Sequence, residues 1–159
     1  LLPQVTILTP NSLEARHLAQ QENDPSESKL DLSLCAQRLL LMGCEYVLIT
    51  GTHENTQQVK NTLFASSGII RTDDWERLEH TYHGSGCTLA SAIAASLANG
   101  LSVSDSVLEA QDYTWHTLQA GFRPGMGQYI PNRLFWANDE EDSEDEHEEK
   151  EVIIEQPEN

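Results

Sequence analysis

Residues 83–88 read His-Gly-Ser-Gly-Cys-Thr, and residues 89–97 continue as Leu-Ala-Ser-Ala-Ile-Ala-Ala-Ser-Leu. The small side chains of the continuation predict a helix that packs closely against its neighbours. Gly84 and Gly86 lack a Cβ, so the backbone can bring several N–H groups toward one point, and the first N–H groups of a helix have no intrahelical partner. Gly84, Ser85 and Gly86 are therefore candidates for an anion site, because the dipole at a helix start favours negative charge.

Cys87 lies in the first turn of this predicted helix. The helix dipole favours a thiolate at that position, which would allow Cys87 to act as a base. Alternatively, Cys87 is a small buried hydrophobe and the glycines only make a tight turn. Spacing alone leaves both interpretations open. A Walker A loop is excluded, because no Gly-Lys-Ser/Thr sequence follows the glycines.

The chain before the glycines alternates between strand and helix patterns. Apolar runs at 5–9 and 46–50 predict buried strands, and residues 11–20 and 30–42 have helical spacing. This order predicts an α/β domain with a mainly parallel central sheet and helices on both faces.

Two further elements complete the predicted domain. Residues 59–65 and 69–75 predict a hairpin around Ser66-Ser67-Gly68. The last long helix is predicted from residue 104 to 121, and Phe135 and Trp136 are expected to pin the segment that follows it. The predicted inner face of this helix consists of Val107, Leu108, Thr114, Trp115, Leu118 and Phe122.

Polar residues follow both predicted parallel strands. Asn11 and Glu14 stand three residues apart at a helix start, which is the spacing of a capping box. An amide and a carboxylate at a strand end could equally hold a water molecule or a hydrated magnesium ion. Thr50 and Gly51 end the second strand, and ligands of such sheets collect beyond the carboxyl ends of the strands.

The formal net charge of −17 is unevenly distributed. Residues 138–159 hold 12 of the 26 acids and one of the nine bases, which leaves a net charge of −6 for residues 1–137. We therefore predict one folded domain over 1–137 and an acidic, disordered tail over 138–159. A mildly acidic body gives no support for a nucleic-acid surface. Three cysteines without a C-x-x-C pair and no apolar run of about 20 residues predict a reduced, cytoplasmic protein without a membrane span.

Three motifs, in this order and spacing, resemble one family. They are Thr9-Pro10-Asn11-Ser12-Leu13-Glu14-Ala15, Val47-Leu48-Ile49-Thr50-Gly51-Thr52-His53 and His83-Gly84-Ser85-Gly86-Cys87-Thr88-Leu89. Together they resemble the hydroxymethylpyrimidine/phosphomethylpyrimidine kinases of thiamine biosynthesis, which have the ribokinase-like fold. The resemblance covers residues 1 to about 137 and implies that the chain is the C-terminal part of that fold.

The resemblance implies a role for each candidate residue. Asn11 and Glu14 would organise Mg²⁺ through water, and Gly84, Ser85 and Gly86 would form the anion hole. Cys87 would be the base, at a position where many relatives in the superfamily have Asp. Thr50 and Gly51 would contact the nucleotide, but relatives often carry Lys-Gly there. Since Thr50 cannot supply that charge, this strand would act through its backbone and hydroxyl groups.

The implied reaction uses ATP to phosphorylate 4-amino-5-hydroxymethyl-2-methylpyrimidine and then its monophosphate. Chemistry of this kind depends mostly on positioning and charge stabilisation. A pyridoxal kinase of the same fold and a non-catalytic remnant that binds a nucleotide or a partner stay open as alternatives. The resemblance also allows a homodimer, and we expect the isolated 159-residue chain to be inactive.

Overall fold

The computed structural model describes residues 1–24, 26 and 29–137, and the predicted tail at 138–159 lies outside the described residues. Four strands and four α-helices form the domain: β1 Ile7–Leu8, α1 Ser12–Ala19, α2 Leu32–Leu41, β2 Tyr46–Ile49, β3 Gln58–Ala65, β4 Gly68–Glu76, α3 Ser85–Ala98 and α4 Val103–Gln119. Short 3₁₀ helices span Leu2–Gln4 and Phe135–Ala137. The predicted strand and helix order is confirmed, with ends that move by one to two residues.

The strands form one sheet in the order β1-β2-β3-β4. β1 pairs with β2 in parallel, whereas β3 pairs antiparallel with both β2 and β4. The sheet of the described residues is therefore mixed, and the parallel arrangement predicted for it applies to β1 and β2 alone. The physical reason is length, since residues 50–57 are too few for the crossover of a dozen or more residues that a parallel neighbour of β2 would need.

The helices cover both faces of the sheet, as predicted. Successive side chains of a strand point to opposite faces. Accordingly, Val47 and Ile49 of β2 belong to the core that α1 and α2 cover, whereas Leu48 packs with Leu89 and Val107 of α3 and α4. The alternation along β2 thus places the α1–α2 pair on one face and the α3–α4 pair on the other.

The predicted inner face of α4 is correct for Val107 and Thr114, which are buried, but wrong for Leu108 and Phe122. Leu108 is 40% exposed and Phe122 is 50% exposed. The helix instead buries three polar residues that the pattern did not select: Ser106, Gln111 and Thr117. Polar residues can occupy a buried helix face where they find hydrogen-bond partners, and Gln111 and Thr117 have such partners.

The segment after α4 is anchored by aromatic contacts, as predicted. The rings of Phe135 and Trp136 lie 6.3 Å and 6.2 Å from the ring of Tyr113, and Phe135 stacks on His116 at 5.8 Å. No helix within the described part of the chain is both long enough and apolar enough to cross a membrane.

Candidate active site

Five of the eight predicted site residues line one cleft of about 530 Å³ beyond the carboxyl ends of β1 and β2. They are Asn11, Glu14, Thr50, Ser85 and Gly86. Parallel pairing places the ends of the two strands side by side, and the Ser12 N–H donates to the Thr50 carbonyl at 3.0 Å. Residues separated by more than 70 positions in the sequence therefore meet in one cavity.

The far wall of this cleft is aromatic and apolar. The rings of Trp75 and Trp115 lie 6.5 Å apart at an angle of 30°, beside Val59, Leu78 and Leu118. Sequence reasoning did not place these side chains in a site. An aromatic wall of this kind suits a planar ring, while the strand ends in the same cleft supply polar groups.

Asn11 and Glu14 form a reciprocal capping box at the start of α1. The Asn11 side-chain oxygen accepts from the N–H groups of Leu13 and Glu14 at 3.0 and 2.9 Å, and the Asn11 N–H donates to Glu14 Oε2 at 2.8 Å. The capping interpretation is thus what the hydrogen bonds of these two residues show.

The same bonds limit how Asn11 and Glu14 could hold a magnesium ion. The side-chain oxygen of Asn11 already accepts two N–H groups, so it is a poor direct ligand. Glu14 Oε2 accepts one bond, which leaves carboxylate lone pairs for water at the edge of the cleft. An outer-sphere magnesium site, bound through water, fits these residues. The described residues contain no cluster of three His, Cys, Asp or Glu side chains placed to bind a metal directly.

The backbone at Gly51 leaves no room for a side chain. A Cβ at this position would lie 2.3 Å from the Lys60 carbonyl oxygen on β3. The Gly51 N–H donates to Asn61 Oδ1 at 3.1 Å, and its carbonyl accepts from Glu54 N–H at 3.0 Å. Both backbone groups of Gly51 are used within the protein, and the Thr50 backbone is paired with Pro10 and Ser12. The Thr50 hydroxyl is therefore the polar group that this strand end can still offer to a ligand.

A chain of buried amides holds the floor of the cleft. Asn61 Nδ2 donates to Gln111 Oε1 at 2.8 Å, Trp75 Nε1 donates to the same oxygen at 3.1 Å, and Gln111 Nε2 donates to Asp73 at 2.8 Å. Asn61 is 8% and Gln111 3% exposed. The network joins β3, β4 and α4, and its members come from elements so far apart in the chain that no local sequence pattern could have revealed it.

The loop after β2, residues 52–56, is fixed by two arginines. Arg16 of α1 makes a bidentate ion pair with Glu54 at 2.6 and 3.0 Å. Hydrogen bonding from Arg16 lowers the pKa of the Glu54 carboxyl to about 2. From the other side, Arg77 donates to the carbonyls of Thr52, Glu54 and Thr56. The loop thereby holds Thr52 and His53 at the edge of the cleft.

The glycine stretch forms the predicted helix start. Gly84 is the N-cap of α3 with φ of +90°, a left-handed conformation that glycine adopts without strain. The N–H groups of Ser85, Gly86 and Cys87 have no intrahelical acceptor, because they lie in the first turn. No side chain caps this helix, so these N–H groups have no capping side chain either. The stretch is braced from outside, because the N–H groups of His83 and Tyr129 donate to the carbonyls of Tyr129 and Thr81.

Cys87 lies on the opposite side of α3 from the cleft. It is exposed and lines a second cavity of about 530 Å³ between α3 and α4, together with Thr88, Ser91, Tyr113 and Arg133. We call this cavity the Cys87 groove. The interpretation of Cys87 as a buried hydrophobe is therefore wrong. The first turn of α3 separates the two cavities, with Ser85 and Gly86 on one side and Cys87 on the other.

Arg133 is a charged residue near this turn that sequence reasoning did not select. Its Nη2 lies 3.3 Å from the position of a Cβ built on Gly84. Its Nε donates to Thr88 Oγ1 at 3.2 Å. Arg133 stands 46 positions after Cys87, and nothing in its sequence surroundings marks it as part of the same cavity.

The chain is similar in sequence to known kinases. The sequence profile of the family described as "Phosphomethylpyrimidine kinase" matches residues 1–132. The hydroxymethylpyrimidine/phosphomethylpyrimidine kinase of Escherichia coli (strain K12) is 34% identical over 113 residues, which cover 71% of this chain and 42% of that relative. The pyridoxine kinase of Bacillus subtilis (strain 168) is 27% identical over 131 residues, 82% of this chain and 47% of that enzyme.

A solved structure shows the same fold. The pyridoxal kinase from Staphylococcus aureus in complex with AMP-PCP superposes with a TM-score of 0.73 at 24% identity, over 86% of this chain and 50% of that one. The likeness confirms the predicted ribokinase-like α/β fold. The chain spans just under half the length of the curated relatives quoted above. Because the family profile matches most of its residues, the chain belongs to the phosphomethylpyrimidine kinase family.

Proposed function

We propose that the full-length protein carrying this chain transfers the terminal phosphoryl group of ATP to 4-amino-5-hydroxymethyl-2-methylpyrimidine and then to its monophosphate. The observation that carries this proposal is the position of the uncapped first turn of α3 between two cavities. A donor nucleotide in the cleft and an acceptor in the Cys87 groove would meet at the same N–H groups. Family membership supports the choice of substrates.

The cleft has the chemistry of a nucleotide site. Its aromatic wall at Trp75 and Trp115 suits a base, and the Thr50 hydroxyl at the strand end can donate a hydrogen bond to the phosphates. A magnesium ion bound through water at Glu14 would neutralise charge on these phosphates. ATP as the donor is also supported by the relative whose structure contains AMP-PCP.

The transfer step follows from the position of Cys87. Cys87 accepts the proton of the hydroxymethyl group while the oxygen of that group attacks the terminal phosphorus of ATP, and the bond to the leaving ADP breaks. The N–H groups of Ser85 and Gly86, with the dipole of α3, stabilise the charge on the transferred group. In the second reaction an oxygen of the acceptor phosphate is the nucleophile.

The test is product analysis with the full-length protein, ATP and magnesium, supplied with either the pyrimidine or pyridoxal. We expect one and then two phosphoryl groups on the pyrimidine, and a much lower kcat/KM with pyridoxal. A higher kcat/KM with pyridoxal would favour a pyridoxal kinase, the second candidate, to which the pyridoxine kinase of B. subtilis lends support. No turnover of either compound by folded protein would refute both and favour a non-catalytic binding role.

A cysteine pair gives the matched control. Cys87→Ala should abolish most turnover, whereas Cys44→Ala removes a thiol that is 5% exposed in the core on the α1–α2 face and should leave kcat within a few-fold. A homodimer, a cytoplasmic location and inactivity of the isolated 159-residue chain stay predictions. Size-exclusion chromatography, fractionation and assay of the isolated chain would test them in turn.

A further inference from the structure

We propose that Arg133 binds the phosphate of a phosphorylated acceptor in the Cys87 groove, and thereby adapts the site to the second phosphorylation. This inference rests on the proposed function for the identity of the acceptor. The claim that Arg133 binds a phosphate group next to α3 stands on the geometry alone.

The backbone around Arg133 is fixed from both sides. The N–H of Asn132 donates to the Thr117 carbonyl at 2.8 Å, and the Tyr113 hydroxyl donates to the carbonyl of Arg133 at 3.1 Å. Phe135 and Trp136 then pack on Tyr113. The side chain therefore extends toward α3 from an anchored position rather than from a free terminal segment.

Arg133 is an exposed residue. One end of its guanidinium is hydrogen-bonded to the protein, and the other is open to solvent or to a ligand. Nε donates to Thr88 Oγ1, and that hydroxyl donates to the Gly84 carbonyl at 2.9 Å. Within residues 1–24, 26 and 29–137, the two Nη groups have no hydrogen-bond or ion-pair partner. The other arginines of this region use theirs: Arg16, Arg38 and Arg71 pair with carboxylates, and Arg77 and Arg123 bind backbone carbonyls.

The charges next to Arg133 call for an anion. Its Nη2 lies beside Gly84, the N-cap of α3, where the helix dipole is positive. The positive charge of Arg133 and the positive end of the α3 dipole repel each other, and an anion bound between them would remove this repulsion. The carboxylate that lines the same groove, Glu109, lies 3.4 Å from the Ser96 hydroxyl, two helical turns along α3 from Thr88. A phosphate group matches both the unused fork of the guanidinium and the free N–H groups of the helix.

The groove side of α3 determines which phosphate this is. Arg133 and Cys87 line the same cavity, and neither lines the cleft assigned to the nucleotide. In the first reaction the acceptor in the groove is a neutral alcohol, which has no negative charge to pair with the guanidinium of Arg133. In the second reaction the acceptor is a phosphate monoester whose oxygen attacks ATP, so the charge of Arg133 becomes important for acceptor binding.

The variants for the test are Arg133→Met, Arg133→Lys and the control Arg123→Met, all in the full-length protein. Charge-assisted hydrogen bonds contribute enough that Arg133→Met should raise KM for the pyrimidine monophosphate roughly ten- to a hundredfold. The KM values for hydroxymethylpyrimidine and ATP should change less than about threefold. Arg133→Lys should recover part of the loss, and Arg123→Met should resemble the parent. An equal change for both acceptors, or a change confined to ATP, would overturn the proposal.

A binding experiment separates this inference from the proposed function. Calorimetric titration of inorganic phosphate, without ATP or pyrimidine, should show weaker binding to Arg133→Met than to Arg123→Met at one fixed ionic strength. Equal phosphate affinity of the two variants would refute the role of Arg133 even in an active kinase. If the parent binds phosphate through Arg133 but phosphorylates no pyrimidine, the phosphate site is supported and the proposed substrate is wrong.

Discussion

Replacing Glu54 with Gln should make the free energy of unfolding less dependent on pH below about pH 5. The carboxyl forms two hydrogen bonds with Arg16, and the two side chains are 29% and 11% exposed. Its pKa is lowered from 4.5 to about 2, chiefly by the hydrogen bonds from Arg16. At about 1.4 kcal/mol for each pH unit, this shift corresponds to about 3 kcal/mol of folding free energy at neutral pH.

The sign of the pH dependence follows from the lowered pKa. The folded state holds the proton less tightly than the unfolded state, so the stabilisation by Glu54 is complete above about pH 5. It declines as the pH falls below 4.5 and is lost near pH 2. Glu54→Gln should therefore cost about 3 kcal/mol at pH 7, and the difference between variant and parent should shrink toward zero as the pH approaches 2.

Urea unfolding of the full-length protein at several pH values from 7 to 2.5, followed by circular dichroism, measures this difference. The matched control is Asp74→Asn, because Asp74 and Lys60 form an exposed ion pair at 3.4 Å with side chains that are 43% and 60% exposed. Exposed pairs contribute at most about 1 kcal/mol. If Glu54→Gln and Asp74→Asn destabilise equally, or if the Glu54→Gln difference does not depend on pH, the ion pair is not the support of the 52–56 loop that we infer.

Three further predictions concern the site. Cys87→Asp should retain more kcat than Cys87→Ala, since a carboxylate can accept the same proton; steady-state assays giving equal rates would remove Cys87 from the role of base. Glu14→Gln should raise the magnesium concentration needed for half-maximal rate several-fold if Glu14 acts through water, whereas an unchanged titration with about 1 kcal/mol or less of lost stability would leave it only a capping residue. Gly51→Ala should destabilise by about 3 kcal/mol or more in thermal unfolding, because the new Cβ would meet the Lys60 carbonyl, while Gly125→Ala, with open space around it, should have little effect.

The local parts of the structure were predictable from sequence. Asn11 and Glu14 predicted a capping box because both partners of each bond lie within one helical turn. Gly43 and Gly100 follow the last residues of α2 and α3 closely, and both adopt the positive φ that is typical of glycine just after a helix. The Ser66-Ser67-Gly68 hairpin depended likewise on adjacent residues and was found at β3–β4. In each case the determining interactions connect residues close together in the chain.

The parts that could not be predicted depend on partners distant in sequence. Gln111 was not among the residues predicted for the inner face of α4, but Asn61, Trp75 and Asp73 satisfy its amide in the interior. The separation of Cys87 from Ser85 and Gly86 into two cavities depends on how α3 packs beside α4 on one face of the sheet. A one-dimensional pattern placed all three residues together at a helix start, and it could not show that they line different cavities.

α3 differs from the other described α-helices at its N-terminus, where the proposed site lies. Three helices begin with a side chain that binds their first N–H groups: Asn11 in α1, Asp31 in α2 and Ser102 in α4. α3 begins at Gly84 without one, and such a cap is typically worth about 1 kcal/mol. α3 offsets this loss by packing, since Leu89 and Ile93 are buried in the core on the α3–α4 face. The buried side chains of α3 thus hold the helix while its first turn stays open to a ligand. Gly84 has φ of +90°, which a capping side chain could adopt only with strain, so the N–H groups that the proposed phosphoryl transfer needs are left without a side-chain partner.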